Sequence, residues 1–198
     1  MWCCSQAAAG GHLETLKWLR ANGCPWESDP GVDMTAEHAF EFSRTAAYAA
    51  QYGHVEILKW LPANGMEWDE WTCAHAAEGN QLKTLQWLHA SGCPCDERTC
   101  AYAAAFGHVE VLEYALDKGI ECSAWTCACA AERGQLDTLK WLRERDIPWD
   151  EQTLSGSARN GCDELFVWAK EHGCPGSENF LVDDRGHVYP NYPNDDYE

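Results

Sequence analysis

The chain has 198 residues, of which 45% are hydrophobic, and 14 Lys and Arg against 32 Asp and Glu give it a net charge of −18. It is long enough to bury a sizeable core, but it has no apolar run of the roughly 18 residues that a membrane-spanning helix needs. It also has no cluster of Lys and Arg, which nucleic-acid binding usually requires. We therefore expect no nucleic-acid and no membrane partner, and we expect protein partners with basic patches.

The N-terminal segment, Met1 to Leu16, has no basic stretch followed by a long apolar stretch, so the sequence predicts no secretory signal. We therefore expect a cytoplasmic protein, with a nuclear location as the alternative. The twelve cysteines are then expected to be mainly reduced, because disulfides are rare in reducing compartments.

A segment recurs along most of the chain at a fixed period. It is marked by a glycine or an asparagine, at Gly11, Gly53, Asn80, Gly107, Gly134 and Gly161. The last five marks therefore follow one another at intervals of 27, whereas the interval between the first two is 42. We interpret residues 27–42, approximately, as an insertion between the first two of six repeats.

Each repeat is predicted to form two short helices. In the segment 72–80, the Thr72 hydroxyl is suited to cap the first helix, and Asn80 tolerates the left-handed conformation that ends it. In the second helix, apolar residues recur at helical spacing until Gly92 and Pro94 end it. One helix pair cannot bury its apolar side alone, but stacked neighbours can. The chain is therefore predicted to be an all-α solenoid of about six helix-turn-helix pairs.

Two columns of large residues run through the second helices. The first consists of Leu16, Leu58, Leu85, Leu112, Leu139 and Phe166, and the second of Trp18, Trp60, Trp87, Tyr114, Trp141 and Trp168. An aromatic stripe can stack bases or sugars, but we interpret this one as core between repeats. Every repeat keeps the position large, and it adjoins the leucine column. Paired alanines in the first helices are predicted to form a close-contact face.

The segment TCAHAAEGNQLKTLQWLHASG, which begins at Thr72, resembles the ankyrin repeat. That family's consensus runs T-P-L-H-x-A-A, then G-H, then a V-V-x-L-L-L helix and a closing G-A. Thr72 and His75 match its threonine and histidine, and Gly53–His54 and Gly107–His108 match its G-H pair. The resemblance covers about residues 2–175, but the period is 27 instead of the usual 33 or so. The absent residues belong to the β-hairpin finger of ankyrin repeats. The resemblance therefore implies an ankyrin-like solenoid with little or no β-hairpin, and a protein-binding role.

The densest group of cysteines lies in GCPCDERTCA, which contains Cys93, Cys95 and Cys100. Cys93 and Cys100 fall in columns that other repeats fill with apolar residues, so we interpret both as small buried hydrophobes. Members of one column are expected about 10 Å apart, too far for a disulfide or for shared zinc ligation. A zinc site that joins different columns, through Cys93, Cys95, Cys100 and Cys122, stays open. The alternative function is therefore that of a cysteine-based protein that binds a metal ion or responds to redox conditions.

No catalytic or cofactor-binding motif is found in the sequence. His12, His54 and His108 share the G-H position and His75 lies at the T-x-x-H position. The resemblance implies that both positions are structural and tie neighbouring turns by hydrogen bonds. The acidic residues are scattered over positions predicted to face solvent. We therefore predict that the chain is not an enzyme, and we predict no cofactor and no metal.

The positions that the repeat leaves variable are the candidates for partner binding. One column directly before the first helix contains Trp2, Arg44, Trp71, Arg98, Trp125 and Gln152. Another near the end of that helix contains Tyr52, Gly79, Phe106, Arg133 and Asn160. The resemblance implies that they line the concave, partner-binding face, and Trp, Tyr and Arg are enriched at interface hot spots. The predicted partner-binding residues are Arg44, Tyr52, Trp71, Arg98, Phe106, Trp125 and Arg133. The alternative is that the large side chains pack on adjacent turns.

The ends of the chain depart from the pattern. The chain begins inside a first helix without a polar cap repeat. Either Met1 is not the natural start, or this end is sticky and makes an otherwise monomeric protein self-associate. We assign residues 1–175 to the repeat array and 176–198 to an acidic tail. The stretch NFLVDDRGHVYPN in this tail is predicted to form a small hairpin, and disorder is predicted after it.

Overall fold

The computed structural model describes residues 3–26 and 44–191. Trp2, the predicted insertion at 27–42 and the end of the tail lie outside the described residues, so the statements about them stay predictions. The chain divides into two compact units, Met1–Cys100 and Ala101–Glu198. Each unit is built from pairs of short helices.

The described residues contain twelve α-helices. Helices with odd numbers are the first helices of their repeats, and helices with even numbers are the second helices. In chain order they begin with α1 (Cys3–Ala9), α2 (Leu13–Ala21), α3 (Arg44–Gln51), α4 (Val55–Trp60), α5 (Glu70–Glu78), α6 (Leu82–Ala90) and α7 (Glu97–Ala105). They continue with α8 (Val109–Asp117), α9 (Ala124–Glu132), α10 (Leu136–Arg143), α11 (Glu151–Arg159) and α12 (Asp163–Glu171). None of these helices has the length and apolar character that crossing a membrane requires. The predicted all-α fold with little β-structure is confirmed.

The helix pairs stack as the repeat predicts. In the first unit, α1 packs on α3 and α3 packs on α5, and each also packs on the second helix of its own repeat. In the second unit, α9 packs on α11, with α10 and α12 as their partners. The first helices approach closely because their inward positions are alanines, and Ala49, Ala50, Ala76 and Ala77 are fully buried. The predicted close-contact face is confirmed.

The leucine column forms the core beneath the second helices, and all six of its members are fully buried. The aromatic column is not core, and the prediction for it is wrong. Trp18 is 63% exposed, and Trp60 and Trp87 are only half-buried. The physical reason is that these rings lie on the outer side of the second helices. Trp60, Trp87 and Trp168 each pack on the turn of the preceding repeat, but part of each ring stays open to solvent.

The packing of these rings repeats along the chain. Trp60 packs edge-to-face on Trp26, Trp87 on Trp68, and Trp168 on Trp149, with ring centroids 5.9, 5.3 and 5.9 Å apart. Edge-to-face geometry places the positive edge of one ring on the negative face of the other. The turn tryptophans therefore connect neighbouring repeats within each unit.

Helix α5 begins with a capping box. The Asp69 carboxylate accepts a hydrogen bond from the Thr72 N–H at 3.2 Å, and the Thr72 hydroxyl accepts one from the Asp69 N–H at 3.3 Å. The prediction of Thr72 as the N-cap is wrong, because the aspartate three residues earlier takes that place and Thr72 becomes its partner. Asn80 has the predicted left-handed conformation, with φ 55°.

Two short strands follow α12. β1 (Phe180–Val182) and β2 (Val188–Pro190) pair antiparallel, with Leu181 opposite Tyr189. The Phe180 ring packs on Phe166 with centroids 5.3 Å apart. The Val188 N–H donates to the Asp163 carboxylate at 3.3 Å. The described part of the tail is thereby attached to the last helix pair.

Candidate partner-binding surface

The first column of predicted partner-binding residues lies in the first turn of the first helices. Arg44 begins α3, while Trp71, Arg98 and Trp125 are the second residues of α5, α7 and α9. These residues were predicted to lie directly before the first helices. That placement is wrong, because caps such as Asp69 start the helices one or two residues earlier than predicted. Trp125 is the most open of these side chains, with 38% of its surface exposed.

The second column directly follows the last residue of the first helices. Tyr52 is 54% exposed and Phe106 is 36% exposed, and Arg133 is also exposed. The Tyr52 ring stacks on His54 and the Phe106 ring on His108, with centroids 6.5 and 6.2 Å apart. Each histidine therefore supports one face of an aromatic ring that stays open to solvent.

In the first unit, the structure brings Trp71 and Arg98 together. The Arg98 guanidinium carbon lies 4.8 Å from the centre of the Trp71 ring, which is a cation–π distance. Nη1 of Arg98 also donates to the Glu70 carboxylate at 2.8 Å and to the Asp96 carboxylate at 2.9 Å. The Trp71 ring lies 6.3 Å from that of His75, one turn further along α5. We call these five residues the Trp71 cluster.

His75 also belongs to this surface, although the sequence analysis gave it only a structural role. Its Nδ1 lies 2.6 Å from the Glu78 carboxylate, within the same helix. His54, in contrast, does tie neighbouring turns, because its Nε2 lies 2.9 Å from the Ala9 carbonyl oxygen. The spacing from Trp71 to His75 is one helical turn, and this signal would have placed both rings on one face.

In the second unit, the structure brings Phe106 and Arg133 together. The Arg133 guanidinium carbon lies 5.0 Å from the centre of the Phe106 ring. The two residues are one repeat period apart, as Trp71 and Arg98 are. Each unit therefore pairs an aromatic ring with the arginine of the next repeat, and of the two rings Phe106 is exposed while Trp71 is half-buried.

Trp125 lines a small open hollow of about 180 Å³ between α9 and α11. The hollow exists because Cys129 and Gly156 occupy a column that earlier repeats fill with Tyr48, His75 and Tyr102. At its edge, the Arg159 guanidinium lies 3.8 Å from the Glu132 carboxylate. Sequence reasoning missed this hollow, because it is formed by absent side chains and appears only when that column is compared across repeats.

Cys129 is a poor candidate for chemistry at this hollow. Burial raises the pKa of its thiol to about 11, and the nearby Glu132 adds to that effect. The thiolate is the nucleophile and the metal ligand, so a thiol that stays protonated at neutral pH reacts slowly.

The pKa of Glu70 is affected by its neighbours in the Trp71 cluster. Its pKa is lowered, first by a hydrogen bond from its own backbone N–H and then by Arg98. A carboxyl with a lower pKa in the folded state stabilises that state above its ordinary pKa, and the contribution is lost as pH falls through the lowered value.

We expect the Arg98→Met variant to have a higher pKa at Glu70, because the variant loses both the hydrogen bond and the charge of Arg98. An NMR titration of the Glu70 carboxyl carbon in acidic solution measures this change. Lys59→Met is the matched control, since Lys59 pairs with Glu56 on α4 and should leave the pKa of Glu70 unaltered. An unchanged pKa in Arg98→Met would contradict the arrangement of the cluster.

A disulfide lies directly beside the Trp71 cluster. It joins Cys73 in α5 to Cys95 in the turn before α7, with Cα atoms 5.5 Å apart. The expectation of reduced cysteines is wrong at this place. The argument from column spacing did not exclude this bond, because Cys73 and Cys95 belong to two different columns. Cys95 is therefore not available as a thiolate ligand for the zinc set considered from sequence.

The neighbouring Cys93 remains a thiol and is buried, as predicted from its apolar column. Burial raises its pKa to about 12, with a further contribution from the charge of Asp69. Among the described residues, no group of three or more Cys, His, Asp or Glu side chains is arranged to hold a metal ion.

Comparison with known families agrees with the repeat architecture. A family model described as ankyrin repeats in many copies matches residues 73–116 and 100–142, which include α6 to α9 completely. No curated protein matches the chain significantly. This match identifies residues 73–142 as ankyrin repeats, and the same kind of helix pair recurs before and after them in the described residues.

Proposed function

We propose that this protein binds a protein partner through the exposed face of its first helices, without catalysing a reaction. Ankyrin repeats are generally protein–protein interaction modules and generally not enzymes. The observation that carries the proposal is the set of open aromatic rings at the ends of the first helices. Tyr52, Phe106 and Trp125 are each more than one third exposed, and such rings gain most from burial against a partner.

The arginines give this surface directional contacts. Arg98 covers Trp71 and Arg133 covers Phe106, so each ring is held in place before a partner arrives. Rings and arginines that are already positioned lose less conformational entropy on binding, which increases affinity. In ankyrin arrays the first helices line the concave face, and we propose that face as the binding surface.

Charge narrows the class of partner. The chain carries a net charge of −18, which accelerates encounter with positively charged proteins and opposes encounter with negatively charged ones. The proposed partner is therefore a protein with a basic patch beside an apolar centre. We propose that a monomer in the cytoplasm or the nucleus makes this interaction.

The test compares two triple variants in affinity capture from a native extract. Trp71→Ala/Phe106→Ala/Arg133→Ala removes two rings and one arginine from the first-helix face. Trp18→Ala/Tyr189→Ala/Arg185→Ala is the matched control, because it removes two aromatic side chains and one arginine from exposed positions elsewhere.

We expect the first variant to lose a partner that the wild type and the control retain, and we expect calorimetry to show at least a tenfold weaker Kd for it. Both variants must first show the wild-type far-UV circular dichroism spectrum. Equal affinity in both variants, or loss in the control alone, would refute binding through the first-helix face.

A redox-responsive role is the second candidate function, and one feature of the first unit favours it. The Cys73–Cys95 disulfide joins α5, which carries Trp71, to the turn that precedes α7, which carries Arg98. Reduction would release the two elements that hold the Trp71–Arg98 contact together. Partner affinity that falls in Cys95→Ala, with all first-helix side chains intact, would support this role.

A further inference from the structure

Two thiols of the first repeat lie in direct contact. Cys4 in α1 is 1% exposed, and Cys24 in the turn after α2 is partly exposed. The Cys4 thiol donates to the Cys24 sulfur, and the Sγ–Sγ distance is 3.3 Å. A disulfide has sulfurs about 2.05 Å apart, so bond formation needs an approach of little more than about 1 Å.

The repeat shows that this pair of positions lies beside a disulfide elsewhere in the unit. Cys4 occupies the repeat position of Cys73, and Cys24 occupies that of Cys93. In that later repeat, Cys73 is bonded to Cys95, two residues beyond Cys93. The first helix and the closing turn of one repeat are therefore close enough to be joined by sulfur.

In the first repeat, the position of Cys95 is taken by a tryptophan. Trp26 is fully buried, and its indole N–H donates to the Asn64 carbonyl at 2.8 Å. The turn is held against α2 by Arg20, which donates to the Cys24 carbonyl at 2.7 Å. These contacts place the Cys24 sulfur next to Cys4. The turn of the first repeat has no second cysteine, because Trp26 stands at the position of Cys95.

We propose that Cys4 and Cys24 are a site of reversible disulfide formation by exchange with a small-molecule disulfide of the glutathione class. The partly exposed Cys24 thiolate attacks one sulfur of oxidised glutathione, the S–S bond breaks, and one glutathione thiolate leaves. Cys4 then gives up its proton and attacks the Cys24 sulfur, which releases the second glutathione thiolate. In total, two protein thiols lose two protons and two electrons, and one glutathione disulfide becomes two glutathione molecules.

The roles of the two thiols differ because their exposure differs. Cys24 meets the oxidant first, since Cys4 is buried beneath it. Cys4 is the resolving thiol, because its sulfur is already in contact with that of Cys24. Removing Cys4 should therefore stop the reaction at glutathione-bound Cys24, and removing Cys24 should prevent it.

The experiment uses the full chain with Cys3→Ser, because the exposed Cys3 lies next to Cys4 in sequence. The protein is incubated with oxidised glutathione under native conditions, quenched with an alkylating reagent and digested with trypsin. Lys17, Arg20 and Arg44 separate the two thiols into peptides 1–17 and 21–44. Mass spectrometry then measures the disulfide-linked pair of these peptides.

We expect the linked pair in Cys3→Ser and none in Cys3→Ser/Cys24→Ser. In Cys3→Ser/Cys4→Ala, we expect at least tenfold more glutathione on Cys24 than in Cys3→Ser. Glutathione that accumulates on Cys24 equally with and without Cys4 would overturn the proposal, as would a Cys24 that stays reduced throughout. If Cys4→Ala alters the circular dichroism spectrum, the linked pair in Cys3→Ser alone decides the outcome.

Discussion

We expect the Cys95→Ala variant to have a free energy of unfolding about 3 kcal/mol lower than the wild type under non-reducing conditions. The disulfide joins residues 22 positions apart, and closing a loop of this length removes that much conformational entropy from the unfolded chain. The remaining Cys73 is fully buried and stays compatible with its apolar column as a thiol. Urea denaturation followed by far-UV circular dichroism measures the difference.

Cys162→Ala is the matched control for this measurement. Cys162 is a thiol in the structure and is partly exposed, so its loss should change the free energy of unfolding by no more than about 0.5 kcal/mol. A Cys95→Ala variant as stable as this control would mean that the disulfide contributes nothing in solution.

The chain offers its own replacement for the disulfide. The second repeat has Ala46 and Trp68 at the positions of Cys73 and Cys95, and Trp68 packs edge-to-face on Trp87. We therefore expect the Cys73→Ala/Cys95→Trp variant to recover part of the stability that Cys95→Ala loses. Recovery would show that the turn position needs one firm contact, which either a tryptophan or a disulfide supplies.

The fold followed from the sequence because burial has the same period as the repeat. Residues one period apart meet the same neighbours, so the leucine column and the alanine pairs are apolar in each of their repeats and could be identified without a structure. The same reasoning places Trp71 near Arg98 and Phe106 near Arg133, since each pair belongs to one column in adjacent repeats. Their cation–π contacts follow from that neighbourhood and from the length of the arginine side chain.

Contacts between different columns were harder to predict, and the disulfide is the clearest case. A period relates only equivalent positions, whereas Cys73 and Cys95 belong to different columns of the repeat. A signal was nevertheless present. The turn cysteines Cys95 and Cys122 follow Cys73 and Cys100 at the same spacing at which Trp68 follows Ala46. The hollow beside Trp125 was also not predicted. It forms because Gly156 has no side chain at a position where earlier repeats have a large one.

The exposure of the aromatic column leads to a second large expected effect. We expect Leu85→Ala to lower the free energy of unfolding by about 3 kcal/mol, since Leu85 is fully buried and its truncation leaves a cavity in the core. Trp18→Ala should cost less than about 1 kcal/mol, although tryptophan is the larger side chain, because 63% of Trp18 is already in water. Urea denaturation of the two variants measures both values.

Comparing the stability losses of Leu85→Ala and Trp18→Ala shows whether a variant that fails to bind has lost its binding surface or its fold. If Trp18→Ala were as costly as Leu85→Ala, the aromatic column would be core after all, and the Trp18 control in the capture experiment would report unfolding. If the order is as expected, exposed tryptophans of this chain can be removed without unfolding it. A partner lost on changing the first-helix face and kept on changing Trp18 is then lost through the surface itself, because the column that stabilises the fold remains intact in both proteins.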